Sequence, residues 1–413
     1  TSEELAQNVR SLGFDLDALV EEKKIAIDYV RVERSEIEET GEYDLEGLFL
    51  RLGLAIDSVG AKRIVLDTIE SLFAGFDNQA LLRSEIRRLF RFLKDRGVTA
   101  VITGERGDGS LTRQGLEEYV SDCVILLDHR VTEQTSTRRL RIVKYRGTTH
   151  GTNEYPFIID AAGFSVLPLS GLQLDHAVSN ERVSSGVPAL DAMLDGKGYY
   201  RGSSVLISGT AGTGKTSLAA HFAQESARRG ERCLYLAFEE SPQQLMRNMQ
   251  SIGVNLEPHV KKGTLKLHSS RPTLYGLEMH LVTVHKMVSE LEPSAVVVDP
   301  ISNFIDNSTA IEAQAMLLRL VDFLKAKQIT AVFTHLTSGG SALEATDIGI
   351  SSLIDTWLLL RDIEIGTTRS KGLYVLKSRG MPHSREIREF VVTPKGVELK
   401  KVTGKAGKGN AKK

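Results

Sequence analysis

The chain has 413 residues, enough for two to three domains with sizeable cores. Its 52 Lys and Arg against 53 Asp and Glu leave a net charge of −1, so no overall basic field is available to hold nucleic acid non-specifically. With 41% apolar and 25% charged residues, and no uncharged apolar run near the roughly 18 residues of a membrane helix, the composition is that of a soluble globular protein. Its two cysteines, Cys123 and Cys233, form no CxxC or His/Cys cluster; they exclude a disulfide framework or structural zinc and fit a reducing cytoplasm.

The chain opens at Thr1 on a helical pattern with Leu5, Val9 and Leu12 on one face and no signal-peptide character. Self-similarity then dominates. Residues 3–16 are echoed at 243–256, an offset of 240, and 62–73 at 294–305, an offset of 232. Residues 91–104 match 322–335, and Lys144 matches Lys377 at an offset of 233. A period this long means a duplicated domain, not a solenoid. Each copy predicts an α/β module: β-branched runs at Ile64–Leu66, Ala100–Ile102 and Val124–Leu127, with partners Ala295–Val298, Ala331–Phe333 and Trp357–Leu360, alternate with amphipathic helices, clearest over Ser84–Arg96 and Glu312–Lys325. The pattern implies a mostly parallel sheet flanked by helices on both faces. Residues 1–171 are expected to form the first domain, 172–183 a linker, 184–399 the second domain and 400–413 a basic, disordered tail.

After the apolar run Ser204–Ser208 comes Gly209-Thr210-Ala211-Gly212-Thr213-Gly214-Lys215-Thr216, then an amphipathic stretch from Ser217 to Arg228. This is G-x-x-x-x-G-K-[ST] in its strand–loop–helix context. The glycines let backbone N–H groups wrap phosphates, Lys215 reaches the terminal phosphates, and the Thr216 hydroxyl can hold Mg²⁺. Asp299, ending the strand AVVVD, suits a partner of that Mg²⁺, direct or one shell out. In-line transfer also needs a group to orient or deprotonate the incoming oxygen, and Glu239 and Glu240 follow the strand Cys233–Ala237 at the same sheet edge.

Lys377-Ser378-Arg379-Gly380, with His383 beyond, recurs as Lys144-Tyr145-Arg146-Gly147 with His150. Residues two apart in a strand share a face, so each Lys and Arg form a paired cationic prong, suited to a γ-phosphate supplied in trans. A subunit alone would then hold an incomplete site.

Together GTAGTGKT, FEES, VVVD, KSRG and the duplication resemble the KaiC family, the double-domain RecA-like ATPases of the cyanobacterial clock and their relatives, over residues 3–400. The resemblance implies two tandem RecA-like P-loop NTPase domains stacked into a double-ring hexamer, with ATP between neighbouring subunits, ATPase activity in the first ring and an autokinase in the second. It implies phosphate binding by Gly212 to Ser217, Mg²⁺ near Thr216 and Glu239, and Glu239 as the kinase base. Lys377 and Arg379 would reach the neighbour's γ-phosphate, and Ser11, Lys144, Tyr145, Arg146, Thr148 and His150 would line the first-ring nucleotide. Ser351 and Ser352 fall on the paired phosphoacceptors and Thr346 on a nearby transient one. The repeat places Glu118 and Tyr119 opposite the serines, so adjacent hydroxyls occur in the second module alone.

The 240 offset puts the first module's glutamate pair just before Thr1, so roughly 60 residues carrying its P-loop are expected to precede the sequence. The short Lys-rich tail does not resemble the peptide that engages KaiA, whereas a KaiB-type partner on the first domain fits. Two rival readings share the P-loop: a RecA/RadA-like DNA-dependent ATPase, opposed by the near-neutral charge, and a nucleotide-gated protein scaffold.

Overall fold

A computed structural model describes residues 2–30, 46–73, 79–107, 111, 120–132, 135–160, 163–166, 178–271, 276–305, 310–337, 352–365 and 367–402. The chain divides into two compact units, Thr1–His129 with Arg138–Val166, and Arg130–Thr137 with Leu167–Lys413. Residues 172–177 of the expected linker and the tail from 403 onward lie outside the described residues.

In the first unit, β1 (Arg63–Leu66) and β2 (Thr99–Ile102) pair in parallel with Arg63 opposite Thr99. The helix Gln79–Asp95 joins them, and its Leu82, Ile86, Leu89 and Leu93, spaced by three and four residues, bury one stripe against Leu52, Leu66, Ile69 and Leu72. It starts before the expected Ser84 because Leu82 extends that stripe by a turn. On the other face of the pair, Val65 and Val101 are 65% and 55% exposed, so the expected cover on both faces is not found among the described residues. β3 (Cys123–Thr132), β4 (Thr135–Tyr145), β5 (Glu154–Asp160) and β6 (Gly163–Val166) form a separate four-stranded sheet in that order, with β5 antiparallel to both neighbours.

The second unit begins with the small antiparallel pair β7 (Arg182–Val183) and β8 (Tyr199–Tyr200). Its main strands are β9 (Ser204–Gly209), β10 (Cys233–Ala237), β11 (Leu265–Ser269), β12 (Ala295–Asp299), β13 (Thr330–Leu336), β14 (Thr356–Ile365), β15 (Thr368–Ser378), β16 (Arg388–Thr393) and β17 (Gly396–Lys401). They form one nine-stranded sheet in the order β11-β10-β12-β13-β9-β14-β15-β16-β17. The strands from β11 to β14 run parallel, and β15 to β17 continue the sheet antiparallel. Every residue of β9, β10 and β12 is buried, as continuous apolar runs demand when helices cover both faces. The helix Lys215–Arg228 packs Leu218, Ala219, Ala220, Phe222 and Ala223 into the core shared with Val205, Ile207, Val297 and Val332. The expected helix at Glu312–Lys325 is found as Ala310–Ala326.

Strand direction sorts the second unit into two edges. The carboxyl ends of β9, β10 and β12 open at one edge, where α/β sheets bind ligands. β14 runs parallel to β9 with Thr356 opposite Val205 and Leu360 opposite Gly209, so the start of β14 lies at the far edge. Antiparallel β15 ends there too, with Ser378 opposite Thr356. The duplication is visible in side-chain detail. The Thr103 hydroxyl donates to the Asp67 carboxylate in the first unit, and the Thr334 hydroxyl donates to Asp299 at the matching place in the second.

Candidate functional site

β9 ends at Gly209, the loop 210–214 follows, and Lys215 begins the next helix. Two glycines are required by space. A Cβ at Gly209 would stand 2.4 Å from the Leu360 carbonyl oxygen, and one at Gly214 would stand 2.4 Å from the buried Phe390 ring, where the backbone is also at φ +101°. The buried Thr213 hydroxyl closes the loop on the Thr210 carbonyl at 2.8 Å. Lys215 Nζ donates to the carbonyls of Gly209 and Thr210, each at 2.8 Å, which holds the ammonium at the loop's mouth. Burial pulls the Lys215 pKa below the ordinary lysine value, and the negative charges of Asp299 and Glu239 work against that shift. Ala211 and Gly212 are exposed, Thr216 is half-buried and Ser217 is buried.

The acidic residues separate into three roles of geometry. Asp299 is buried, with Oδ2 accepting the Tyr235 hydroxyl at 2.7 Å and Oδ1 accepting Thr334, so both of its oxygens are engaged by hydroxyls. Glu240 turns back toward the helix Pro242–Gln250: Oε1 accepts Asn248 Nδ2 at 3.0 Å, and its other oxygen is buried with no hydrogen-bond partner. Glu239 is exposed at the same edge. Of the adjacent pair, Glu239 is the one open to a bound substrate.

One side chain at this edge carries no sequence motif. Lys371 of β15 donates Nζ to the Gly212 carbonyl of the loop. It lies opposite Asp362, two positions beyond the Leu360–Gly209 register, whereas Lys377 sits at the other end of the same strand. Only the strand order β9-β14-β15 brings it over the loop; a lone lysine in an alternating strand gives no signal by itself.

The far edge gathers the prong and Ser352, the one of the three expected acceptors among the described residues. Arg379 Nη2 donates to the Ser352 carbonyl at 2.7 Å, and burial, then Arg379, lower the pKa of Lys377 from its ordinary value. Ser352 is exposed, and Ser351 and Thr346 lie outside the described residues, as do Glu118 and Tyr119. Neither Lys377 nor Arg379 shares an edge with the phosphate loop of its own chain.

In the first unit, Lys144 and Tyr145 end β4, and Arg146, Thr148 and His150 follow. Arg146 pairs with Asp122 at 3.6 Å, the Thr148 hydroxyl donates to the Thr149 carbonyl at 3.2 Å, and His150 Nδ1 is buried without a hydrogen-bond partner. Ser11 is exposed and donates to the Asn8 carbonyl at 3.0 Å.

The family model described as "ATPase: KaiC" matches residues 1–171 and 183–403. The chain belongs to the KaiC ATPase family. It is 56% identical over 401 residues to the circadian clock protein KaiC2 of Synechocystis sp. (strain ATCC 27184 / PCC 6803 / Kazusa), covering 97% of this chain and 71% of that protein. It is 37% identical over 400 residues to the circadian clock oscillator protein KaiC of Picosynechococcus sp. (strain ATCC 27264 / PCC 7002 / PR-6), covering 96% of this chain and 77% of the relative. The circadian clock protein KaiC3 of the same Synechocystis strain is 36% identical over 404 residues, 96% of this chain and 79% of that protein. As a KaiC-type ATPase the chain is built on tandem RecA-like domains and binds ATP. No helix among the described residues is long and apolar enough to cross a membrane.

Proposed function

We propose that this KaiC-family chain is an ATP-dependent serine/threonine autokinase and ATPase that works between copies of itself, in a cytoplasmic double-ring hexamer serving circadian timing or related signalling. One observation carries the reading. The phosphate loop and Glu239 open at one edge of the nine-stranded sheet, while Ser352, Lys377 and Arg379 gather at the other. Five strand positions from Ser204 to Gly209 separate the edges, about 16 Å of extended chain. One chain therefore holds two complementary half-sites, and a neighbour joins them.

ATP would lie with its phosphates in the loop 209–216 at the amino end of the helix Lys215–Arg228, with Lys215 on the terminal phosphates. The donor set fits Mg²⁺: the Thr216 hydroxyl and Glu239 would hold it, with Asp299 fixed behind them by Tyr235 and Thr334. Bound Mg²⁺ supplies charge neutralisation at the β- and γ-phosphate oxygens. Glu239 takes the proton of the acceptor serine hydroxyl. The serine oxygen bonds to the γ-phosphorus as the bond to the β–γ bridging oxygen breaks, and ADP departs with that electron pair. The neighbour's Lys377 and Arg379 stabilise charge on the transferring phosphoryl group. Water in place of serine gives hydrolysis. A KaiB-type partner on the first unit is part of this reading; a KaiA-type activator is not.

Incubating the purified protein with Mg²⁺ and ATP, then mapping phosphosites by mass spectrometry beside a Ser351→Ala/Ser352→Ala control, tests the proposal. Phosphate on those serines that vanishes in the control is the expected result. ATP turnover in confirmed hexamers without any phosphoserine would overturn the kinase and leave an ATPase scaffold.

A further inference from the structure

Three side chains recur in both units at the root of the cationic prong. In the second unit, Lys325, near the end of the helix Ala310–Ala326, sets Nζ 3.0 Å from Oδ1 and 2.8 Å from Oδ2 of Asp355. The Asp355 carbonyl accepts the Arg379 backbone N–H at 2.8 Å, and the guanidinium Nη1 stands 4.0 Å from Asp355 Oδ1. In the first unit, Lys94, near the end of the helix Gln79–Asp95, sets Nζ 3.0 Å from Asp122 Oδ2. The Asp122 carbonyl accepts the Arg146 N–H at 2.8 Å, and Arg146 Nη1 stands 3.6 Å from Asp122 Oδ1. The prong is present in both copies of the repeat, whereas the serine pair at 351 and 352 aligns in sequence with Glu118 and Tyr119 of the other copy. A device found twice goes with the element found twice, which is the prong.

Ser204 of β9 adds to the engagement of the second aspartate. Besides Lys325, Asp355 Oδ2 accepts the Ser204 N–H and the Ser204 hydroxyl, each at 2.9 Å. Lys325 thus bridges both oxygens while Ser204 engages Oδ2, and Arg379 Nη1 stays 4.0 Å from Oδ1, half exposed, with Nη2 on the Ser352 carbonyl. A cavity of about 470 Å³, lined by Tyr200, Arg201, Gln328, Lys325, Asp355 and Arg379, opens beside the second triad and leaves the guanidinium room to move.

We propose that Lys325 and Asp355 are positioning residues for Arg379: Lys325, bridging both Asp355 oxygens, neutralises the carboxylate while Ser204 engages Oδ2, so the guanidinium stays available to a neighbour's phosphates instead of collapsing into a close internal ion pair. The inference rests on Arg379 acting in trans, as proposed above. Without Lys325, the bared carboxylate competes for the arginine, since a charge-assisted Arg–carboxylate pair is among the stronger contacts available to it.

The test measures ATP turnover, nucleotide affinity and Ser351/Ser352 phosphorylation in the purified full chain and in four variants. Lys325→Met is expected to lower turnover and phosphorylation at least about tenfold with nucleotide affinity unchanged, because the phosphate loop lies at the other edge. Lys325→Arg, which keeps a cation on Asp355, should stay near the parent rate. Lys325→Met/Asp355→Asn should recover activity to within a few-fold, since the competing charge is gone. A double variant as impaired as Lys325→Met, a Lys325→Arg variant equally impaired, or an unaffected Lys325→Met variant each overturns the inference. Arg379→Ala separates the two proposals: full activity in that variant sinks Arg379's role in trans itself, and with it the positioning device.

Discussion

The same strand positions are buried in one unit and open in the other. Val297 and Val332 are 0% exposed, while their repeat partners Val65 and Val101 are 65% and 55% exposed. The difference traces to β9 and the helix Lys215–Arg228. β9 lies between β13 and β14 and joins them into one sheet, and the helix covers the valines from above. Among the described residues of the first unit no strand lies between β2 and β3, and those strands belong to separate sheets. In the second unit the strand before the phosphate loop closes the sheet, and the helix after that loop supplies the cover.

The largest break in that comparison should come from Glu239→Gln, expected to slow phosphoryl transfer by about 10²- to 10⁴-fold with nucleotide retained, while Glu240→Gln, already turned onto Asn248, has a much smaller effect. Single-turnover transfer kinetics on the two variants decide it; equal effects would erase the distinction between the neighbours. Lys215→Ala should come next, weakening ATP binding to the second unit by roughly 100-fold or more through loss of a charge-assisted phosphate contact. Titration with a fluorescent ATP analogue is the check, and unchanged affinity would move the nucleotide elsewhere in the chain.

Smaller effects sharpen the burial contrast. Val297→Ala should cost about 2 kcal/mol in urea unfolding, because it leaves a cavity in a sheet covered on both faces. A loss below about 0.5 kcal/mol would mean that this strand is not packed as described. Smallest is a pH effect confined to the second unit. His285, half-buried against the Phe323 ring, has its pKa lowered by burial to about 4, and burial also lowers that of His221, whose Nδ1 lies 2.8 Å from the Ser217 carbonyl and whose Nε2 accepts the Val397 N–H at 3.3 Å. The unfolded chain protonates these rings first, so they stabilise the fold above pH 6.5 and lose that contribution in acid; for His285 it is lost as the pH falls toward about 4. For His285 this is of order 1 kcal/mol after allowing for its partial exposure. Urea midpoints between pH 7.5 and 4.5 should fall for the parent and fall less for His285→Phe; parallel curves would remove His285 from the account.

Legibility followed the range of the interaction. The strand runs, the helices at 79–95 and 310–326 and the phosphate loop were readable because periodicity and the G-x-x-x-x-G-K-[ST] spacing act between residues close in sequence. The long repeat was readable as well, and it pointed to the prong. Residue type alone left Glu239 and Glu240 alike, and only the family resemblance singled out Glu239; the structure separates them physically, because Asn248, on the next helix, claims Glu240. Lys371, distant in sequence from the loop it touches, gave no signal.

The sequence by itself determined the two-copy organisation, the parallel α/β class of the second unit, the phosphate loop and the family, all of which rest on local spacing and residue type. Only the tertiary structure decided which edge of the sheet each group occupies. Strand direction and register place Lys371 over the loop and send Lys377, six residues on, to the opposite end. They also bring Lys325, Asp355 and Arg379 together from a helix end, a strand start and a strand end. Those meetings depend on hydrogen-bond pairing between segments far apart in the chain, which no local pattern encodes.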